Sequence, residues 1–335
     1  MARFDYDLPP NAIAQRPVEP RDRARLLVDG PGGIQHLTVS DLPRLVGVGD
    51  VVVVNESKVL PARLLLRRPT GGRTEILLLE PAGAGRWEAL VRPGRKVPPG
   101  TTLVDAGGVP VVEVGEHLPA GRRLATLLGD DDDVMQGHGS LPLPPYISGP
   151  LDDESRYQTV YASAPGSVAA PTAGLHLTGR VLDSVRANGA RVCTVDLSVG
   201  LDTFRPITVE DPADHQIHSE RYSVPEATLE ACESAGRVIA VGTTTVRALE
   251  AAVRGEHQGR TTLFIRHPFD FAVVDLLMTN FHLPRSSLLL LIDAFVGDRW
   301  RELYAIALAE GYRFLSFGDA MLLGRAGLPR RAGVA

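Results

Sequence analysis

Hydrophobic and polar residues alternate along this chain in two different ways. Between residues 64 and 141, short apolar runs (LLLRR, TEILLLE, RWEALVR, VPVVEV and RRLATLL) are separated by glycine- and proline-rich turns. Short strands at this spacing predict a small barrel or sandwich. Outside this segment, strand-like and helix-like patterns alternate, which is typical of an α/β domain. We therefore expect a large mixed-sheet α/β domain, residues 1–63 and 142–335, interrupted by an inserted small β-barrel domain, residues 64–141.

Several elements of the α/β domain can be predicted one by one. Residues 50–55 (DVVVVN) are a run of β-branched residues typical of a buried strand, and RVIAVG followed by TTTVRALEAAVRG predicts a strand, a turn and a helix. Thr178 and Ser286 stand where helix N-caps are expected. We also expect a strand in YRFLSFGD, residues 312–319, and a solvated turn at the acidic run 130–133.

Composition narrows the class of protein. A chain of 335 residues with 44 % hydrophobic content can build a substantial core, and no targeting signal or membrane-length apolar run is visible, which predicts a cytoplasmic protein without a membrane segment. The two cysteines, Cys193 and Cys232, argue against a disulfide framework. A net charge of −5 argues weakly against general nucleic-acid binding, yet it leaves room for a local basic groove.

The turn that follows the strand RVIAVG is a candidate anion site. Gly242, Thr243 and Thr244 open a helix there, and free N–H groups at a helix start attract a carboxylate or phosphate. Arg247, one turn later, could clamp a carboxylate. The same residues also fit ordinary capping by Thr243 and a surface arginine.

Three titratable residues, His215, His218 and Glu220, lie within six positions of one another. Imidazole and carboxylate are zinc ligands, but this spacing matches no standard helical metal pair. On a strand, His218 and Glu220 would share a face and could act as an acid/base or substrate-contacting pair. A purely structural network is the remaining alternative.

The segment APTAGLH, residues 170–176, joins small residues and Thr172 to His176 just before a helix. Small residues let the backbone approach a ligand, and the histidine would then lie at the entry to the helix. The alternative is that His176 is an interior histidine with its hydrogen bonds satisfied.

A carboxylate, Asp275, is embedded in an apolar strand, where it must be paired or have a perturbed pKa. Three further polar residues end apolar runs in the same way: Asn280, His282 and Asp319. The chain shows no Walker loop, GxGxxG motif or Ser-His-Asp order. From the residues alone, the sequence predicts an α/β enzyme with a cleft rich in His, Asp and Glu.

Motifs spread over nearly the whole chain resemble one family. They are FDYDLP, IAQRP, VVVVNESKVLPARL, LPLPPYI, RYQTVYA, GSVAAPTAGLHLT, HQIHSERY, RVIAVGTTTVRALE and the C-terminal VVDLLMTNFHLPRSSLLLLIDAFVG. In this order they are similar to the S-adenosylmethionine:tRNA ribosyltransferase-isomerases of queuosine biosynthesis. The resemblance implies a large α/β domain interrupted by a β-barrel domain.

The resemblance also implies a reaction. S-adenosylmethionine is the co-substrate and donates its ribosyl group, with no prosthetic group and no metal. The acceptor is 7-aminomethyl-7-deazaguanine at the wobble position of tRNA. The positive sulfur acidifies C5′ of the ribose, a base removes a proton, and the ylide attacks the acceptor. Rearrangement releases adenine and methionine and gives epoxyqueuosine. The partners expected are therefore this tRNA and S-adenosylmethionine, with the protein a monomer.

Roles within the site follow as expectations from the same resemblance. The residues expected to be catalytic are His176, His218, Glu220, His282 and Asp319. The residues expected to bind substrate are Thr172, His215, Gly242, Thr243, Thr244, Arg247, Asp275 and Asn280.

Some positions depart from the family pattern. Family members typically carry the pattern LHVGxGTF in one segment. In this chain Ser198 replaces the histidine of that pattern, and Asp202 replaces a residue that is free to adopt a positive φ. Thr262 replaces an acid, and His267 begins HPF in place of PGY. These changes leave open a paralogue that uses S-adenosylmethionine on another, small-molecule acceptor. A catalytically silent tRNA-binding protein is a third alternative, against which the retained histidines and acids argue.

Overall fold

The computed structural model describes residues 1–30, 32–200, 206–215 and 217–327. The chain forms two compact units. The larger one comprises Met1–Ser57, Pro144–Ala164 and the chain from Ala170 onwards, and the smaller one comprises Lys58–Leu143 and Pro165–Ala169. The domain limits expected from the sequence, residues 64 and 141, stay a prediction. Among the described residues, no helix combines the length and the apolar character that crossing a membrane requires.

The strands, in chain order, are β1 Arg25–Gly30, β2 Gly33–Thr38, β3 Asp50–Asn55, β4 Ser57–Val59, β5 Arg63–Arg67, β6 Arg73–Gly83, β7 Arg86–Arg92, β8 Thr101–Val104, β9 Pro110–His117, β10 Arg123–Leu127, β11 Gly139–Ser140, β12 Ala164–Ser167, β13 Arg191–Leu197, β14 Glu220–Ser223, β15 Arg237–Val241, β16 Gln258–Thr261, β17 Leu276–Asn280 and β18 Ala320–Gly324. The α-helices are α1 Asp131–His138, α2 Gly179–Ala187, α3 Glu226–Glu233, α4 Thr243–Ala252, α5 Ser287–Val296 and α6 Arg299–Ala309. Short 3₁₀ helices fill several of the connections.

The larger unit is built on a mixed sheet of nine strands in the order β16-β14-β13-β3-β15-β17-β18-β1-β2. Four neighbouring strands, β13, β3, β15 and β17, are parallel to one another. The next strand, β18, is antiparallel to β17. Consequently the carboxyl ends of the four parallel strands and the amino end of β18 meet at one edge of the sheet. In sheets of this kind, ligands bind at that edge.

The core of the larger unit follows from the sequence pattern. Strand β3 is buried at every position, as expected of a parallel strand covered on both faces. Helix α2 directs Val181, Leu182 and Val185 into this core, because apolar residues three and four apart share one helix face. The two predicted N-caps are in place: Thr178 Oγ1 accepts a hydrogen bond from Val181 N at 3.2 Å, and Ser286 Oγ accepts one from Leu289 N at 3.2 Å.

The smaller unit contains a closed antiparallel barrel of six strands in the order β5-β6-β7-β10-β9-β8. Pairing of Arg67 in β5 with Val104 in β8 closes it, and β11 adds to β5 on the outside of this order. Alternate residues of β5, β7 and β10 are buried, for example Leu64 and Leu66 in β5, as the period of a barrel strand requires. The two architectures together confirm the predicted fold class.

Two expectations about local structure were wrong. The acidic run is not a solvated turn, because Asp130 caps helix α1: its Oδ1 accepts hydrogen bonds from Asp132 N at 3.0 Å and Asp133 N at 3.3 Å. Carboxylates are stabilised at that end of a helix. The segment 312–319 is not a strand, since Leu315 has a φ of 69°, which interrupts an extended chain. The strand β18 begins only at Ala320.

Candidate active site

Most of the polar residues singled out in the sequence lie at the carboxyl edge of the parallel strands. Asn280 ends β17 and pairs in register with Ala320 at the start of β18. Gly242 follows β15, and Asn55 ends β3. The sheet order therefore brings together side chains that are far apart in the sequence.

Two adjoining clefts open at this edge. The first is lined by Ala170, Pro171, Thr172, Ala173, Val199, Gly242, Thr243, Thr244, Thr279, Asn280, His282 and Leu288. The second is lined by Tyr146, Thr172, Asn280, Phe281, His282, Leu283, Ser286, Leu288, Leu315 and Ser316. Each encloses a few hundred cubic ångströms, about 360 Å³ and about 310 Å³, counting the space open to solvent. Thr172, Asn280, His282 and Leu288 line both and form the wall between them.

Neither cleft has a formally charged lining among the residues that the structure describes. Hydroxyl, amide and imidazole groups supply the polar atoms, and the rest of the lining is apolar. A binding site of this composition orients a ligand through a few hydrogen bonds and excludes water around the remainder.

Helix α4 begins in the wall of the first cleft. Its N-cap, Gly242, has φ 92° and ψ 149°, a conformation that glycine adopts without strain, and its N–H donates to Met278 O at 2.8 Å. No side chain of the described chain caps the helix, so the predicted capping by Thr243 does not occur. Thr243 and Thr244 line the cleft instead. The positive end of the helix dipole and first-turn N–H groups therefore lie beside it.

Asn55 was missed by the sequence analysis, although it holds this edge together. Its Nδ2 donates to Leu197 O at 2.9 Å and to Thr244 Oγ1 at 3.2 Å, and its Oδ1 accepts from Ser57 N and Leu197 N, both at 3.1 Å. The side chain is completely buried. Asn55 thus joins the ends of β3 and β13 to the first turn of α4. The only sequence signal was an asparagine ending a run of valines.

His176 and Thr172 are joined through Asn280. His176 Nε2 lies 3.0 Å from Asn280 Oδ1, and Asn280 Nδ2 donates to Thr172 Oγ1 at 3.0 Å. Because the amide oxygen only accepts, Nε2 of His176 carries the hydrogen in this arrangement. Burial lowers the pKa of His176, so its imidazole is neutral at neutral pH. The histidine is interior and hydrogen-bonded, and it contacts the wall of the two clefts through the amide. It also lines a separate, smaller cleft together with Arg21 and Arg156.

His282 faces both clefts directly. Its Nε2 is 2.9 Å from Thr279 Oγ1, and its backbone N–H donates to the hydroxyl of Tyr304 at 2.9 Å. Burial lowers the pKa of the His282 imidazole from its ordinary value to about 3. A neutral imidazole is thereby fixed in the common wall of the two clefts.

Glu220 and Arg247 form a buried ion pair with each other. Glu220 Oε1 also accepts from Gly200 N at 3.2 Å, and Arg247 Nε donates to Leu263 O at 3.1 Å. Arg247 is therefore neutralised by Glu220, and it lines neither cleft. Its Nη2 is buried and has no hydrogen-bond partner among the described residues, so the predicted role of Arg247 as a clamp for a carboxylate stays a prediction.

The two histidines before Glu220 lie away from the clefts. His218 is exposed and precedes β14, which begins at Glu220, so the two residues do not share a strand face as expected. The ring of His215 packs edge-on against Phe264 at 5.6 Å between centroids, and burial lowers its pKa. Among the described residues, no group of three or more His, Cys, Asp or Glu side chains is placed to hold a metal.

The two remaining carboxylates, Asp319 and Asp275, accept hydrogen bonds from backbone N–H groups. Asp319 is buried, with Oδ1 accepting from Arg25 N at 2.9 Å and Oδ2 from Arg313 N at 2.8 Å. Asp275 precedes β17 and so lies at the opposite edge of the sheet, where its Oδ2 accepts from Val238 N at 2.9 Å. The structure does not bring Asp275 to the clefts. Asp319 is at the correct edge, but both of its oxygens are already engaged.

The departures from the family pattern fall at different places. Ser198, whose Oγ accepts from Arg221 Nη2 at 2.9 Å, directly precedes Val199 in the first cleft. Thr262 and His267 are exposed and line neither cleft. Asp202 lies outside the described residues.

Fold and site together define an α/β protein of the enzyme type, with its cleft at the carboxyl edge of parallel strands and an additional β-barrel unit. Residues 1–323 match the family model described as queuosine biosynthesis protein. The chain is 52 % identical over 343 residues to the S-adenosylmethionine:tRNA ribosyltransferase-isomerase of Thermus thermophilus, covering 96 % of this chain and 98 % of that protein.

A protein of the same name from Rubrobacter xylanophilus is also 52 % identical, over 325 residues and 96 % of each chain. Among solved structures, S-adenosylmethionine tRNA ribosyltransferase from Thermotoga maritima matches with a TM-score of 0.54 and 37 % identity, covering 95 % of this chain and 99 % of that one. The chain belongs to the queuosine biosynthesis protein family, a family of transferase-isomerase enzymes. This confirms the family predicted from the sequence motifs.

Proposed function

We propose that this enzyme transfers the ribosyl group of S-adenosylmethionine to 7-aminomethyl-7-deazaguanine at the wobble position of tRNA and isomerises it. The products are epoxyqueuosine in the tRNA, adenine and methionine. The names of the relatives support the donor and the tRNA, and the two clefts supply a site whose chemistry fits the donor. We further propose a monomer located in the cytoplasm.

The observation that carries the proposal is a neutral imidazole, His282, in a wall without formal charge among the described residues. The reaction depends on the positive sulfur of S-adenosylmethionine, which acidifies the hydrogens on the neighbouring C5′. A carboxylate beside the sulfur would offset that charge. An uncharged lining leaves the charge effective, and its apolar part excludes water that would quench the ylide.

His282 is the best-placed base for C5′. Its imidazole lines both clefts and is unprotonated at neutral pH; since a pKa of about 3 makes it a weak base, its position rather than its basicity supports this role. When the C5′–H bond breaks, the proton passes to the imidazole and the electron pair stays on carbon beside the sulfur. A positioned base of this kind contributes roughly 10²–10⁴ to a rate. His176, which carries its hydrogen on Nε2 towards Asn280, acts by orienting that amide rather than by touching substrate.

The start of α4 is the proposed site for the carboxylate of the methionyl group. Gly242, Thr243 and Thr244 line the first cleft, and the helix dipole favours an anion there. Thr172 and Asn280 line the common wall, and we propose that they hydrogen-bond the ribose hydroxyls. Arg247 is paired with Glu220 and lines neither cleft, so it is not assigned to the carboxylate in this proposal.

A small-molecule acceptor is the second candidate function. Ser198 replaces the family's histidine immediately before Val199, so a departure from the pattern adjoins the first cleft. That position could alter what the site accepts while leaving the use of S-adenosylmethionine unchanged.

A turnover assay tests the proposal. Purified protein is incubated with S-adenosylmethionine and tRNA carrying 7-aminomethyl-7-deazaguanine, and the digested nucleosides are analysed by mass spectrometry. Epoxyqueuosine formed in equal amount with adenine and methionine supports the tRNA reaction. Adenine release with the free deazaguanine base, but none with the tRNA, supports the small-molecule acceptor instead. If folded protein releases no adenine with either acceptor, both candidate functions are wrong.

A further inference from the structure

One end of the barrel presents exposed cationic side chains that have no partner among the described residues. These residues, called the basic patch below, are Arg67, Arg73, Arg92, Arg95 and Lys96. None of their side chains makes an ion pair or hydrogen bond with any residue that the structure describes. By contrast, Arg63 and Arg122 in the same barrel are each bonded to a glutamate at 2.7 Å.

Strand register places the members of the patch side by side. Arg67 in β5 lies directly opposite Arg73 in β6. Arg92 in β7 lies opposite Glu75, two residues along from Arg73, so Arg73 and Arg92 are diagonal neighbours, about 7–8 Å apart. Glu75 already forms an ion pair with Arg63.

The two remaining members are tied to the same end of the barrel. Arg68 Nη1, in the turn after β5, donates to the carbonyl oxygen of Lys96 at 3.4 Å, and so joins that turn to the segment carrying Arg95 and Lys96. Asp105, directly after the closing strand, accepts hydrogen bonds through Oδ1 from the backbone N–H groups of Gly107 and Val109, and it makes no ion pair with a described residue. Arg67, Arg73 and Arg92 are therefore neighbours on one face, and Arg95 and Lys96 lie in a segment bonded to the adjoining turn.

This arrangement costs stability in the isolated protein. Like charges directly opposite each other on an antiparallel pair destabilise it, and neither Arg67 nor Arg73 makes an ion pair with a described residue. The chain as a whole carries a net charge of −5, so the local excess is not a general property of its surface. An anion from outside the protein would remove the repulsion.

We infer that the basic patch binds the sugar–phosphate backbone of the tRNA substrate, an inference that rests on the proposed function. The cations are spread over three strands and a loop, on a convex sheet surface, and do not converge on one point. That spacing suits the repeated charges of a nucleic-acid backbone better than a single small anion. The patch supplies affinity and position, and the base to be modified is read elsewhere.

The test is tRNA binding without turnover, measured over a range of salt concentrations. The variant Arg67→Gln/Arg73→Gln removes the opposed pair. We expect its Kd for tRNA to rise about tenfold or more, and the slope of log K against log salt to fall by about 1.5, since each lost phosphate contact removes roughly 0.7–0.9. Its melting temperature should equal or exceed that of the wild type, because a repulsion is removed.

Two further variants sharpen the test. Arg67→Lys/Arg73→Lys keeps both charges and should keep the salt slope. Arg44→Gln/Arg186→Gln changes the net charge equally at two exposed arginines of the larger unit, each paired with an aspartate one turn away. This control should bind tRNA as the wild type does.

The outcomes separate the inference from the proposed function. If the wild type binds tRNA and the glutamine variant binds equally well with an unchanged slope, the patch is not the tRNA surface, while the proposed function stands. If the control variant loses as much affinity, only net charge matters and the inference is wrong. If the wild type binds no tRNA at any salt concentration, the inference and the proposed tRNA reaction both fail.

Discussion

His176 and Asn280, 104 residues apart in the sequence, are joined by a hydrogen bond of 3.0 Å between the imidazole Nε2 and the amide Oδ1. The same amide donates to Thr172 Oγ1, also at 3.0 Å. One buried amide thus fixes the tautomer of a histidine and the direction of a hydroxyl in the wall of the clefts. Asn280 therefore connects the buried imidazole of His176 to the hydroxyl of Thr172 in the wall of the clefts.

Replacing Asn280 by alanine should therefore reduce activity as well as stability. We expect kcat/KM for S-adenosylmethionine to fall roughly 10- to 100-fold, and unfolding to cost about 1–3 kcal/mol less, because two buried partners lose a hydrogen bond. Steady-state kinetics and urea unfolding measure the two effects. Asn188→Ala is a suitable control, since its amide donates to Pro43 O outside the clefts, so stability should fall without a change in activity. Wild-type kinetics for Asn280→Ala would contradict the orienting role.

His282→Gln tests the proposed base. The amide cannot take up the C5′ proton, so we expect kcat to fall by roughly 10²–10⁴ with little change in the affinity for S-adenosylmethionine. Single-turnover release of adenine measures the chemical step. The same substitution at exposed His218 tests its sequence-based catalytic role separately, and His117→Gln in the barrel is a neutral control. A loss of less than tenfold in folded His282→Gln would remove His282 from the mechanism.

Stability should depend on pH through the buried histidines. Burial lowers the pKa of His282 to about 3 and also lowers that of His176, so below about pH 6.5 the unfolded chain binds protons that the folded protein does not. The free energy of unfolding should consequently fall as pH drops from about 6.5 towards 3, by up to about 1.4 kcal/mol per pH unit for each histidine.

Urea unfolding at about pH 7.5 and about pH 5 measures this dependence. His282→Gln should flatten it, while His117→Gln, at an exposed site, should leave it unchanged. Equal stability of the wild type at both pH values would argue against neutral buried histidines.

The ion pair of Glu220 and Arg247 should be structural. Glu220→Gln leaves a buried guanidinium without its counter-charge and should destabilise the protein by about 3–5 kcal/mol. Removing both charges in Glu220→Leu/Arg247→Met should restore most of that loss. In the folded double variant, KM for S-adenosylmethionine should stay within about threefold of the wild type, less than the loss of one charged hydrogen bond would produce. A much larger rise in KM would place Arg247 on the substrate carboxylate after all.

The sequence was sufficient to predict those elements whose structure is decided by a local pattern of apolar and polar residues. The valine run of β3, the strand and helix around Gly242, and the polar ends Asn280 and His282 were all read from apolar runs and their limits. The same signal could not separate Asp275 from Asn280, because an apolar neighbourhood indicates burial but not which end of a strand a residue occupies. Strand register is needed for that distinction.

Contacts between distant segments were beyond any local pattern. Asn55 resembles an ordinary turn residue at the end of a strand, and its role depends on Leu197 and Thr244, which the fold alone brings near. From the sequence, Arg247 was expected to bind substrate and Glu220 to be catalytic. Only the folded structure shows that the two side chains form an ion pair with each other. The partners of these side chains follow from sheet order rather than from composition.

The barrel is closed by a single residue pair, Arg67 with Val104, whereas β6 and β7 pair along most of their length. Local opening should therefore begin at this seam, and the backbone amides beside it should exchange with deuterium before those of β6 and β7. Arg67 also belongs to the basic patch, so an RNA bound there would hold the seam shut. Slower deuterium uptake around Arg67 and Val104 would then record where the RNA sits, even in the absence of catalysis.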